Sequence, residues 1–157
     1  MGLQTYQEKM LTLLERQELM LAELYEAFAQ TFPKHTEFWT GLAKEEQRHA
    51  QLIAKLREAS QKGVVVFDEG KMKTYTLQAF IDNLEKILVR AKNKEISLAS
   101  AFAFAVDFEN SLIEKNVFAN FNAITEKAQG VLKVLQAETL NHMDRIKKQR
   151  LATTAAR

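Results

Sequence analysis

The chain of 157 residues is long enough for one domain and leaves little room for a second. With 22 basic and 20 acidic residues, its net charge of +2 predicts no strong attraction to nucleic acid or to a membrane. Cysteine is absent, which excludes disulfides, thiol nucleophiles, iron–sulfur clusters and cysteine-based zinc sites. No apolar run approaches the roughly 18–20 residues of a membrane span. The charged N-terminus is unlike a signal peptide, so we expect a cytoplasmic protein.

A single proline and five glycines favour long, uninterrupted helices. The first predicted helix covers residues 4–32 and ends before Pro33, which lacks the backbone N–H that would continue it. The second covers residues 36–61, with Thr36 as a suitable N-cap.

Residues 62–75 form the longest irregular stretch, in which residues 64–67 (VVVF) predict a short extended piece with no partner strand. A connecting helix is predicted over residues 76–92. The third and fourth long helices are then predicted over residues 97–120 and 125–149.

The four long helices each carry apolar side chains at a seven-residue repeat, which favours antiparallel neighbours in a bundle. We therefore predict an all-α fold, an up-down antiparallel four-helix bundle over residues 1–150. Its crossover connection carries the extra short helix, and residues 151–157 form a C-terminal tail.

Ionisable residues interrupt this apolar repeat near the middle of every long helix; they are Glu18, Glu46, His49, Glu109 and His142. A buried, unpaired carboxylate costs several kcal/mol, so three of them in a core require compensation. At 1.5 Å per residue, the five lie about 15–25 Å from the neighbouring helix ends, and they can meet in one layer of the core.

Glu46 and His49 have Glu-x-x-His spacing, which places a carboxylate beside an imidazole on one helical face. The spacing is common by chance and usually marks an exposed pair. Here both residues occupy core positions, as do Glu18 and Glu109, which favours a metal site. Carboxylates with one or two imidazoles suit iron or manganese, and zinc also binds such ligands.

Three stretches resemble the rubrerythrin branch of the ferritin-like proteins: residues 18–25 (ELMLAELY), 43–50 (AKEEQRHA) and 105–109 (AVDFE). The resemblance extends over nearly the whole chain. It implies a ferritin-like bundle whose core binds two iron ions. It also implies an oxidase or peroxidase acting on dioxygen or hydrogen peroxide, with no catalytic residues besides the metal ligands.

The resemblance also assigns roles to the five core residues. Glu18 and Glu109 correspond to terminal ligands, Glu46 to a bridging carboxylate, and His49 and His142 to the imidazole ligands. Homodimers are common in this family, and Phe102, Phe104 and Phe108 make the third helix apolar on more than one side. Either the connecting helix or a second subunit would cover that extra side.

The chain departs from the family pattern at Thr139, where a glutamate is expected three residues before His142. The adjacent Glu138 is either a sixth ligand that turns inward or a solvent-facing counterpart of Glu45. With five of six ligands present, both one and two metal ions stay open. An alternative is a bundle with one metal or none that serves as a non-catalytic binding or dimerisation module.

Two further residues are candidates for supporting the ligands. Tyr25 follows Glu18 by one heptad and either hydrogen-bonds to a ligand carboxylate or to the backbone. Asn116 occupies the matching position after Glu109. A rubredoxin-like domain is impossible without cysteine, so the family's chemistry would need an external electron donor.

Overall fold

The computed structural model describes residues 5–61, 65–67, 74–114, 121–123 and 126–155. These residues are almost entirely helical, which confirms the predicted helical class. The elements are α1 (Thr5–Thr31), a 3-10 turn (Pro33–His35), α2 (Thr36–Gln61), β1 (Val65–Phe67), α3 (Thr74–Lys92), α4 (Leu98–Glu114), β2 (Phe121–Ala123) and α5 (Glu126–Ala155). No described helix is both long and apolar enough to cross a lipid bilayer.

The turn between α1 and α2 forms as Pro33 requires, but Thr36 has a different role from the one predicted. Its hydroxyl donates a hydrogen bond to the carbonyl of Ala29, at 2.9 Å, and its backbone is helical (φ −56°, ψ −46°), whereas an N-cap residue is not. The last carbonyls of a helix lack intrahelical donors, so this bond satisfies one of them. Thr36 therefore joins α2 to the end of α1.

The expectation that residues 64–67 have no partner strand was wrong. β1 pairs antiparallel with β2, with Val65 opposite Ala123 and Phe67 opposite Phe121. β-Branched residues suit an extended strand. The partner lies more than fifty positions later in the chain, beyond the reach of local sequence patterns.

The last helix also differs from its predicted bounds. Helix α4 is described from Leu98 to Glu114, and residues 115–120 of the predicted third long helix lie outside the described residues. Helix α5 continues to Ala155, so residues 151–155 of the predicted tail are helical.

Aromatic side chains from three helices form one end of the core around Trp39, which is fully buried. Its ring centroid lies 4.9 Å from that of Phe28, 5.0 Å from Phe38, 5.2 Å from Phe102 and 5.6 Å from Tyr25. Aromatic pairs at such separations add to the stabilisation that burial provides. The cluster fixes α1, α2 and α4 against one another.

The second apolar side of α4 is covered within the chain. Phe80 of α3 packs edge-on against Phe108, with 5.4 Å between ring centroids. The guanidinium of Arg90, also on α3, lies 5.9 Å from the centroid of Phe104. This face therefore gives no support to a subunit contact, and the homodimer stays a prediction.

We expect Phe28→Ala to lower the free energy of unfolding by about 3–5 kcal/mol, because it opens a cavity beside Trp39. Denaturant titration followed by the fluorescence of this single tryptophan measures the loss. Val89→Ala is the control, since Val89 is 57% exposed and its loss should change stability by less than about 0.5 kcal/mol. Equal effects from both substitutions would contradict the packing described.

Candidate metal centre

The structure brings the five predicted core residues together in one buried layer. Each side chain is 1% exposed or less, and four helices contribute them: Glu18 from α1, Glu46 and His49 from α2, Glu109 from α4 and His142 from α5. A heptad repeat directs each of these positions toward the bundle axis. Polar groups therefore form a layer within an otherwise apolar core.

The carboxylate of Glu46 lies at the centre of this layer, between the two imidazoles. Its Oε1 is 2.9 Å from Nδ1 of His142, and its Oε2 is 3.3 Å from Nδ1 of His49. The imidazole rings are stacked, with centroids 4.9 Å apart and an interplanar angle of 18°. One potential ligand atom from each of the three residues lies within 4.8 Å of the others, close enough to share one cation.

The other two carboxylates flank this group on opposite sides. Oε2 of Glu18 is 3.9 Å from Nδ1 of His49, and Oε1 of Glu109 is 3.6 Å from Nδ1 of His142. Tyr25 donates a hydrogen bond from its hydroxyl to Oε1 of Glu109, at 3.0 Å. A carboxylate and the backbone were the two hydrogen-bond partners predicted for the Tyr25 hydroxyl, and in the structure it bonds to the carboxylate.

The outer nitrogen of each imidazole faces a carboxylate from the opposite helix. Nε2 of His49 lies 2.6 Å from Oε2 of Glu138, and Nε2 of His142 lies 3.5 Å from Oε2 of Glu45. Glu138 and Glu45 are therefore counterparts, each immediately before the position that faces the core. Glu138 contacts His49 from outside and does not turn inward among the other carboxylates.

Arginines hold both outer carboxylates at the surface. Arg48 forms an ion pair with Glu138, and Arg145 lies 2.6 Å from Glu45. Sequence reasoning missed both arginines, because nothing in the local pattern shows which acid each one meets across two helices. In the sequence, Glu45 precedes Glu46 just as Glu138 precedes Thr139. This matching order was the available signal that both acids lie beside a position facing the core.

Thr139 lies at the core position where the family pattern has glutamate, and it is buried. Its hydroxyl donates to the carbonyl of Leu135, at 2.7 Å, within its own helix. The hydroxyl is thus engaged by the backbone. The layer consequently has one fewer carboxylate on the α5 side, and Asn116 lies outside the described residues.

Several buried polar atoms of the layer have no hydrogen-bond partner among the described residues. They are both carboxyl oxygens of Glu18, Oε2 of Glu46, Oε2 of Glu109 and Nε2 of His142. An unsatisfied buried polar atom costs about 1–3 kcal/mol, and more when charged. Native proteins keep few such atoms, so a cluster of them requires an explanation.

Burial and mutual repulsion disfavour the charged forms of the flanking acids. Burial, together with the charge of Glu46, raises the pKa of Glu18 well above its ordinary value of 4.5 and that of Glu109 to about 8. For Glu46, burial acts in the same direction, but the neighbouring Glu18 carboxyl and the two imidazoles lower its pKa well below the ordinary value. Glu46 is therefore the carboxylate that keeps its negative charge.

In the two imidazoles, the neighbouring carboxylates favour the charged form and outweigh the effect of burial. Burial alone would lower the pKa of His142, but the carboxylates of Glu109 and Glu46 raise it to about 10. The pKa of His49 is raised as well, because Glu46 and Glu138 outweigh the effect of burial. The layer therefore favours the protonated forms of Glu18, Glu109 and the two imidazoles.

Comparisons of the chain with protein-family models, with curated proteins and with solved structures give no match. The function must therefore be inferred from the residues of this layer and from their geometry.

We expect Glu18→Gln to stabilise the metal-free protein near pH 7.5 by about 1–2 kcal/mol. The unfolded chain ionises Glu18 near pH 4.5, whereas the folded chain does so at higher pH. Folding therefore takes up a proton between these values, and the stability of the original protein falls as pH rises through them. The pH-dependent part of the difference in unfolding free energy between Glu18→Gln and the original protein should be absent near pH 4 and should increase above it.

Chemical denaturation of the metal-free protein at several pH values measures this effect. Glu26→Gln is the matched control, since Glu26 is exposed on the same helix. Its free energy of unfolding should show the same pH dependence as that of the original protein. If Glu18→Gln also showed this pH dependence, Glu18 would not be buried beside Glu46.

Proposed function

We propose that the chain is a ferritin-like, rubrerythrin-type bundle that binds iron in its core and acts as an oxidoreductase on dioxygen or hydrogen peroxide. One observation carries the proposal: three carboxylates and two imidazoles from four helices meet in a buried layer, and several of its polar atoms have no hydrogen-bond partner among the described residues. The ligands would be Glu18, Glu46, His49, Glu109 and His142.

The donor set supports a transition metal. Carboxylate oxygens and imidazole nitrogens together suit iron or manganese, and zinc is a further possibility. Both imidazoles direct Nδ1 toward Glu46, so a cation beside this carboxylate could reach nitrogen from two helices. It would also give a positive partner to both oxygens of Glu18 and to Oε2 of Glu109, which have no hydrogen-bond partner among the described residues.

The surrounding residues would orient the ligands for metal binding. With a proton on Nε2 held by Glu138, Nδ1 of His49 is free to bind a metal. Glu45 stands in the same relation to His142, at a longer distance of 3.5 Å. Tyr25 fixes one oxygen of Glu109 through its hydroxyl and leaves the other oxygen available.

Thr139 supports an open position on the α5 side of the site. A carboxylate there would complete a six-ligand set for two metals. Since its hydroxyl is bonded to Leu135, a metal on this side would keep a position for water or substrate. Reduced iron supplies the electrons and the binding position with which an O–O bond is cleaved. A separate donor would return the electrons, since this cysteine-free chain holds no rubredoxin-type iron.

We expect protein produced in iron-rich medium to contain between about one and two metal ions per chain, measured by elemental analysis. Glu46→Ala should abolish uptake while circular dichroism still shows a helical protein, because the variant removes the central carboxylate. Glu58→Ala is the matched control, exposed on the same helix, and should bind metal normally. No metal in the original protein would favour the non-catalytic binding module.

We expect Thr139→Glu to raise the metal content toward two ions per chain, because it restores the missing carboxylate three residues before His142. Elemental analysis and isothermal titration with Co²⁺ measure the change. Thr139→Gln has nearly the same size without the charge and serves as the control. A metal content lowered by Thr139→Glu would contradict the proposed alignment of α5.

A further inference from the structure

The candidate ligands have no direct access to solvent, because none of their side chains is more than 1% exposed. If they bind a metal, as proposed above, the ion must pass through a layer of other residues. The groups that touch the ligands from outside therefore indicate where it passes. On the α1–α4 side the described contact is Tyr25, which is itself fully buried.

On the α2–α5 side, the groups that touch the ligands do reach solvent. The side chain of Glu138 is 25% exposed and that of Glu45 is 34% exposed. Each carboxylate faces the outer nitrogen of an imidazole, so it contacts solvent and a candidate ligand at once. Among the described residues, these two acids connect the surface with the core layer.

Two arginines cover these acids from the solvent side. The side chain of Arg48 is 53% exposed where it pairs with Glu138, and that of Arg145 is 36% exposed where it pairs with Glu45. Both guanidinium groups reach solvent, so water competes with each ion pair and each guanidinium can leave its carboxylate readily. The arginines thus cover the route without closing it permanently.

We infer that the seam formed by Glu45, Arg48, Glu138 and Arg145 is the entry route for a divalent cation to the core layer. The ion replaces a guanidinium on the outer carboxylate, exchanges part of its water for carboxylate oxygen, and passes to the imidazole behind it. Each arginine then pairs again with its acid. The inference rests on the proposed metal site and adds the path by which the ion reaches the ligands.

An independent observation points to the same seam. Nε2 of His142 is fully buried and has no hydrogen-bond partner among the described residues, yet it faces Glu45 at 3.5 Å. This nitrogen already faces Glu45, so it can meet an ion arriving there while Nδ1 of the same ring stays beside Glu46. His49 is held more firmly by Glu138, at 2.6 Å. The Glu45 side therefore provides the easier passage.

An entry residue and a positioning residue affect metal binding differently. A change along the route alters the barrier, so uptake and release change by the same factor and the equilibrium affinity is preserved. A change that merely disturbs a ligand speeds release and weakens the affinity. The acids and the arginines should also act in opposite directions, because the acids attract the cation and the arginines repel it.

The test uses Co²⁺ and the whole 157-residue chain. Stopped-flow quenching of Trp39 fluorescence measures uptake, transfer to excess EDTA measures release, and isothermal titration measures affinity. We expect Glu45→Gln with Glu138→Gln, which also removes the carboxylates that orient the imidazoles, to slow uptake by about tenfold and to weaken the affinity. Arg48→Gln with Arg145→Gln, whose ion pairs are with the acids and not with a ligand, should accelerate uptake and release several-fold at unchanged affinity. Glu58→Gln, exposed on α2, should match the original protein.

Each outcome decides the matter. Slower uptake in the acid variant, with faster uptake and release at unchanged affinity in the arginine variant, supports the entry route. Uptake unchanged in both variants, uptake shifted in the same direction in both, or an acid variant that only releases the ion faster would overturn it while leaving the metal site intact. If titration shows that the original protein binds no Co²⁺, the proposed function fails first and this inference falls with it.

Discussion

The carboxylate of Glu46, held between two stacked imidazoles in an apolar core, is the interaction on which the rest of the site depends. A buried negative charge is tolerable only beside compensating positive charge. His142 at 2.9 Å and His49 at 3.3 Å lower the pKa of Glu46 and so stabilise its negative charge. Burial opposes that charge, just as burial and the repulsion of Glu46 disfavour the charged forms of the flanking acids.

This polar layer reduces the stability of the folded chain, and the apolar layers beside it compensate. Unpaired oxygens in the core lower the free energy of unfolding. The aromatic cluster around Trp39 packs α1, α2 and α4 tightly at one end, and Tyr25 belongs to both regions, because its ring meets Trp39 while its hydroxyl meets Glu109. The same residue thus links core packing to the geometry of the site.

The heptad repeat was sufficient to predict the helices and the burial of the five core residues. Each position follows from its own helix, so Glu18 or His142 can be placed without knowing its neighbours. Cross-helix contacts were harder to predict. The contact of Glu138 with His49 depends on how two helices are aligned, and the pairing of β1 with β2 depends on segments more than fifty residues apart.

The short ladder between β1 and β2 has a mechanical consequence for the two helices that carry the imidazoles. β1 follows α2 and β2 precedes α5, so their hydrogen bonds tie the last turn of one helix to the first turn of the other. We therefore expect any separation of α2 from α5 to be smallest at this end and to increase along the pair, toward Thr36 and the C-terminal half of α5.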